Sequence, residues 1–209
     1  VITYFRSSEE IEQISYGKLK AFFSGIYSTY SIQHVKELIQ KELPDLVHVH
    51  NLYQLISPAI LPVIKKMGIP IVMTVHNYRL LCPNGLFFHH GQICEKCTES
   101  FKEVNCIIHN CEGSLFKSTG YAIRNLWARI NKYYKDYVDI FLCLTEFQKN
   151  KLIKNKFPIE RCKVLPNFYE KEIREFNYEI SEKNYLAFTG RISPEKGISI
   201  LLDAAKQLP

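Results

Sequence analysis

The sequence predicts an α/β fold with a Rossmann-like parallel sheet, and three observations carry that. Short, near-continuous apolar runs recur at 45–51, 71–75 and 138–145. Helical-period segments separate them, and strand–helix–strand alternation with unbroken apolar strands argues for a parallel sheet with helices on both faces. Near the end, Tyr185-Leu186-Ala187-Phe188 runs through a Gly-containing turn into an apolar helix, which starts a second strand–loop–helix unit.

The 209 residues suffice for one domain and part of another. Hydrophobic residues make up 46% and charged residues 23%, the balance of an ordinary globular protein rather than a disordered or fibrous one. No apolar run approaches the ~18 residues of a membrane span. No basic n-region opens the chain, so no signal peptide is visible, and a cytoplasmic location, peripheral to the inner face of the membrane, is expected. The first residue is Val1 rather than Met, which suggests a missing start. The net charge of +6 suits anionic partners such as nucleotide diphosphates or lipid headgroups. The basic residues are dispersed and carry no recognised nucleic-acid motif, so no nucleic-acid partner is expected.

Residues 1–5 read as a strand or the tail of one. A helix over about 29–42 turns Ile32, Val35, Leu38 and Ile39 to one side and Lys36, Glu37 and Lys41 to the other, and Pro44 ends it. Asp45–Asn51 is a buried-type strand with a polar end. The next helix is expected to start at Ser57, with Pro58 in its first turn, and to close at Gly68. Ile71–Val75 is the following strand. His50 and His76 both fall at the C-terminal edge of the sheet, where ligands gather in open parallel sheets. His48 shares a face with His50 but lies further back, and reads as structural.

Residues 78–113 form a loop-rich insert holding five of the seven cysteines. Cys94-Glu95-Lys96-Cys97 is a C-x-x-C knuckle, which sets two thiolates on one ion within a tight turn. Cys106 and Cys111 complete a four-sulfur set, with Cys82 as the alternative ligand and His89, His90 and His109 as possible substitutes. Zinc is the default ion for a sulfur tetrahedron and an iron–sulfur cluster the second choice. With no long apolar pattern, the insert needs such a staple.

A helix over 114–135 follows, its apolar face built from Leu115, Thr119, Ala122, Ile123, Leu126, Trp127, Ile130 and Tyr134. Lys117, Arg124, Arg129, Lys132 and Lys135 fill much of the rest, a composition compatible with an anionic membrane surface. Val138–Thr145 is another buried strand, with Cys143 as core, and Thr145 caps the helix beginning at Glu146. Cys162–Asn167 closes the domain. The charged stretch 168–183 suits an interdomain linker, and the second unit starts at 184. The expected domains are thus 1–167, the linker 168–183, and 184–209.

Thr189-Gly190-Arg191-Ile192-Ser193-Pro194-Glu195-Lys196-Gly197 carries phosphate-binding chemistry. Gly190 turns the backbone, Ser193 is an expected N-cap, and Pro194 suits the first helical position. Free N–H groups at the helix start, with Arg191 and Lys196 beside them, make a site for a diphosphate.

The string G-R-x-x-x-E-K-G resembles the donor-phosphate loop of glycosyltransferase family 4 (the group 1 glycosyltransferases of GT-B fold). D-x-V-H-x-H-N at 45–51, P-x-V-x-T-x-H-N at 70–77, V-D-x-x-x-x-x-T-E-F at 138–147 and K-V-x-P-N at 163–167 are similar to the family's other segments, in the same order. Asn77 stands where many members have Asp. A subset of the family carries a similar Cys-rich insert.

The resemblance implies two facing Rossmann-like domains and retaining transfer of a sugar from a nucleotide-sugar to a glycan or lipid-linked acceptor, in cell-envelope or exopolysaccharide synthesis. It implies no catalytic metal. Gly190, Arg191 and Lys196 would hold the donor diphosphate, His76 would contact the donor from the opposite wall as the catalytic residue, and His50, Asn51 and Asn77 would be secondary contacts. The family's later acidic motif is not in the chain, so the 209 residues alone are expected to be inactive. The alternatives are a GT-B epimerase or phosphorylase and a non-catalytic, metal-stabilised binding module.

Overall fold

The computed structural model describes residues 1–7, 9–12, 17–52, 55–168 and 186–208. Helices α1 (Glu9–Glu12) and α2 (Gly17–Ile26) come first, then α3 (Thr29–Glu42) and strand β1 (Val47–His50). Helix α4 (Ile60–Lys66) leads to β2 (Ile71–Val75). The insert holds a short hairpin, β3 (Phe88–His89) and β4 (Gln92–Ile93), a 3-10 turn at Lys96–Thr98, and α5 (Val104–Ile108). Helices α6 (Leu115–Ile130) and α7 (Tyr133–Tyr137), strand β5 (Ile140–Cys143), α8 (Glu146–Lys154) and β6 (Cys162–Val164) complete the unit. A 3-10 turn at Pro194–Lys196 and α9 (Ile198–Ala205) lie in the second described stretch.

The main sheet is parallel throughout, in the order β1-β2-β5-β6. Its two faces are unequal. Val49, Ile71, Met73, Val75, Phe141 and Cys143 are buried on one face. By strand alternation His48, His50, Val72, Thr74, Ile140, Leu142 and Lys163 share the other, where Thr74 alone of these is buried and the His rings are only partly shielded from water. On the buried side α4 touches α3 and α7, and α8 covers β5 and β6.

Asp139 fixes the sheet's N-terminal edge. Its carboxylate accepts from Lys65 Nζ at 2.6 and 2.8 Å and from the Ile71 backbone N–H at 2.8 Å. The Lys65 and Ile71 bonds outweigh the upward push of burial and hold the carboxyl below its usual range.

Local chemistry explains most boundaries. Ser28 caps α3, its Oγ accepting from Ser31 N–H at 3.1 Å, and Leu43 ends the helix in the left-handed region before Pro44. Thr145 Oγ caps α8 by accepting from Gln148 N–H at 3.2 Å. Cys143 and Cys162 are plain core on neighbouring strands.

Four expectations about residues 1–168 outside the insert fail. Residues 1–5 form no strand, although Tyr4 packs against the core. Helix α4 starts at Ile60, not Ser57, because the Ser57 hydroxyl is spent accepting from Ser28 N–H at 3.0 Å. The helix expected over 114–135 breaks at Lys132, which sits at φ 51, giving α6 and α7. Its inward face also differs: α6 buries Ser118, Ala122, Arg124 and Ala128, while Leu115, Ile123, Trp127 and Ile130 are exposed. Small residues let neighbours approach closely, and a Cβ on Gly120 would meet the Phe22 ring of α2 at 2.7 Å. The expected linker 168–183 lies outside the described residues except for Phe168.

Candidate functional site

The site is built where β1 and β2 end. Parallel pairing sets His50 opposite Thr74, so His76, two residues on, comes level with the end of β1. His50 Nδ1 and His76 Nε2 are 2.7 Å apart, with rings stacked at 5.0 Å between centroids. Asn77 Nδ2 donates to Asn51 Oδ1 at 3.2 Å, a second bond between the same two strand ends. Asn51 adopts φ 45, the left-handed conformation that Asn tolerates. The four residues that sequence placed at this edge are therefore together, joined in two pairs.

Behind them His48 Nε2 meets Thr74 Oγ1 at 2.8 Å. Burial, then the nearby His76, pushes His48 toward its neutral form. His50 is pushed the same way by burial and by its two His neighbours. His48 and His50 thus favour the neutral imidazole, able to donate through one ring nitrogen and accept through the other.

The following turn is held by main-chain and side-chain bonds. Asn77 Oδ1 accepts from Arg79 N–H at 3.0 Å, and Tyr78 N–H donates to Gly85 O at 3.0 Å. Gly85 has φ +79, and a Cβ there would stand 2.5 Å from Arg79 Cγ. Asn125 of α6 donates to Arg79 O at 2.6 Å, tying the turn to the helix beyond the insert. Asn51, Thr74, His76, Asn77, Arg79 and Tyr134 line a cleft with room of only ≈ 20 Å³, the scale of a water rather than a sugar. Sequence reasoning missed Thr74, Arg79 and Tyr134. Parallel register brings Thr74 to His48, and a tertiary contact brings Tyr134, so neither had a local signal.

In the second stretch Gly190 has φ 147, Arg191 and Lys196 are exposed, and the Arg191 guanidinium lies 3.4 Å from Glu195 Oε1. The helix start differs from expectation: Ser193 precedes only the 3-10 turn, and α9 begins after Gly197 at φ 70. Of the strand expected at 185–188, residues 186–188 form none, and Tyr185 lies outside the described residues.

In the insert the thiols sort differently from the expected set. Cys82, not Cys94, joins Cys97, Cys106 and Cys111. A hydrogen bond from Cys97 holds the Cys82 thiol down, to about 6, and a bond from Cys106 lowers Cys111 likewise. Their donors, Cys97 and Cys106, are pushed up. Cys94 is half-buried at the end of the hairpin, where its N–H donates to Phe87 O at 2.8 Å. Among the described residues no set of three or more His, Cys, Asp or Glu is already spaced to hold a metal ion. Lys151 of α8 grips both oxygens of Glu95, the longer contact at 2.6 Å, and Arg129 of α6 grips Glu103 at 2.8 and 3.0 Å.

A family model, Glycosyltransferase Family 4, matches residues 3–172. The chain belongs to glycosyltransferase family 4. No curated protein and no solved structure matches it at a significant level. The family match spans the whole parallel sheet, the His50–His76 edge and the insert, so the paired histidines belong to a glycosyltransferase domain. Among the described residues no helix is long and apolar enough to cross a membrane.

Proposed function

We propose that this glycosyltransferase moves a sugar from a nucleotide-sugar to an acceptor hydroxyl with retention of anomeric configuration, in the cytoplasm on a glycan or lipid-linked acceptor of envelope or exopolysaccharide synthesis. The observation that carries the reading is the hydrogen-bonded His50–His76 pair at the C-terminal edge of the sheet. In this reading residues 1–167 form one wall of the cleft, and the unit starting at 184 begins the other. Negative charge grows on the leaving diphosphate, so cations aimed there lower the barrier. Arg191 and Lys196 take that role, with Gly190 allowing close backbone approach. His76 contacts the donor sugar or its phosphate. His50 fixes the ring of His76, and Asn51 and Asn77 hold the two strand ends together. No step requires a catalytic metal.

The acceptor side includes an anionic membrane surface. Leu115, Ile123, Trp127 and Ile130 form an exposed apolar stripe on α6, with Lys117 and Lys132 exposed at its ends. Such a stripe suits shallow insertion between anionic headgroups.

The deciding experiment is a screen of nucleotide-sugars against the full-length protein, reading nucleoside diphosphate release with and without acceptor and the anomer formed. Acceptor-dependent release with retained configuration is expected. Isomerised donor without acceptor, or sugar phosphate formed from inorganic phosphate, would replace this reading with an epimerase or a phosphorylase.

A further inference from the structure

Four thiols from three separate segments converge beneath α6. Cys82 comes from the turn after β2, Cys97 from the 3-10 turn, Cys106 from the middle of α5 and Cys111 from the turn that follows it. Cys82 touches Cys97 and Cys106 touches Cys111, and Cys97 lies within electrostatic reach of the other three. Cys82, Cys97 and Cys106 are buried, Cys106 completely. Little else packs there: Ala122 is the other buried member of the group, with Ile107 partly buried beside it. An insert with a two-residue hairpin, one 3-10 turn and a five-residue helix has too small an apolar core to fix its own shape.

Two cations stand beside the thiols. Arg79 and Arg124 both donate to the carbonyl of Pro83, next to Cys82, at 3.2 and 3.4 Å. Arg124 is buried. Both guanidiniums also lie within electrostatic reach of the Glu112 carboxylate, and four thiolates on a divalent ion would add a net charge of two minus beside them.

We propose that Cys82, Cys97, Cys106 and Cys111 form a tetrathiolate site for one zinc ion that fastens the insert to α6. Zinc prefers four sulfurs in a tetrahedron. The sulfurs stand as two touching pairs, so loading must draw the pairs together. Loading exchanges four S–H protons for one Zn2+ and involves no oxidation. The site lies outside the His50–His76 wall, so its role is structural, and it stands whether or not the donor reading does.

The test uses full-length protein purified without chelator. One zinc per chain by elemental analysis is expected. After metal removal, Co2+ should bind one-to-one with the intense visible bands of tetrahedral thiolate coordination. Cys97→Ser and Cys106→Ser should weaken Co2+ binding by at least the ~10- to 100-fold that losing an outer-shell partner costs, while Cys94→Ser and Cys162→Ser leave it unchanged. If the ligand variants do not fold, the wild-type Co2+ spectrum and stoichiometry carry the test. Four free thiols without metal, an intact mass four protons light (two disulfides), or iron in place of zinc each overturn the proposal. So does loss of the Co2+ spectrum in Cys94→Ser with retention in Cys106→Ser.

Discussion

His50 Nδ1 and His76 Nε2 are 2.7 Å apart, so only one of the two nitrogens carries a proton while the bond exists. Protonating both rings would set N–H against N–H. The pair therefore acts as a unit, and the ring orientation of His76 depends on the tautomer of His50. Replacing His76 with Ala should lower kcat on the order of 10²-fold, the scale of losing one group aimed at developing charge. His50→Gln should cost less and should alter the acid limb of the kcat/KM profile. Equal losses in both variants with unchanged pH profiles would contradict the positioning role.

His48 and His50 make stability depend on pH. Burial and neighbouring His residues keep His48 and His50 below the ordinary value of 6.5. As pH falls through that value the unfolded chain takes up protons that the folded chain refuses, so stability falls with pH. Above it both states are neutral and the contribution vanishes. The urea midpoint should drop between pH 7.5 and 5.5, and the double variant His48→Gln, His50→Gln should drop less. An identical drop in wild type and variant would refute the assignment.

At the opposite edge of the sheet, Asp139→Ala removes the acceptor of the buried Ile71 N–H and the partner of Lys65. The Lys65 and Asp139 side chains are each 38% exposed, so the ion pair itself contributes little. The stranded N–H dominates, and a loss of about 1–3 kcal/mol in urea unfolding is expected. Because the folded carboxyl sits below its usual range, its contribution is present above the unfolded value and is lost as pH falls through the folded one. The Ala variant should thus come closest to wild type in strong acid.

Gly85→Ala tests the turn that follows the site. The new Cβ would meet Arg79 Cγ at 2.5 Å, at a φ of +79 that strains any side chain. More than about 1 kcal/mol of destabilisation is expected. Gly113→Ala, at φ +67 with open space around it, should cost less because only the backbone objects. A reversed order would mean that Arg79 yields freely.

Trp127 is the single tryptophan and is exposed on α6, so it reports on membrane contact by itself. Anionic vesicles should shift its emission to the blue in a salt-sensitive manner, and Ile130→Glu should suppress the shift. Emission unchanged by anionic vesicles would remove the membrane from the proposed acceptor side.

How much was legible depended on where each decision was made. Helix α3, strands β1 and β2 and the Thr145 cap follow from nearest neighbours, and sequence placed them. The start of α4 depended on Ser28, distant in sequence, claiming the Ser57 hydroxyl. The orientation of α6 depended on Gly120 meeting Phe22, so the large apolar residues that a periodic reading turns inward face outward instead. The His50 and His76 positions were legible from strand ends, but their bond needed the register of β1 on β2. Cys82 joins the thiol group in place of Cys94 because the chain between them doubles back through the hairpin.

That hairpin turns on His90 and Gly91, both at positive φ and both exposed. Its ladder has two rungs, so little folding free energy resides there. A chain divided at the tip gives one piece ending in β2 and the hairpin's first strand and another carrying α6 and β5. The two share the β2–β5 ladder and its buried face. The tip is thus a natural seam, a place to insert a reporter or to divide the gene into halves that reassemble when coexpressed.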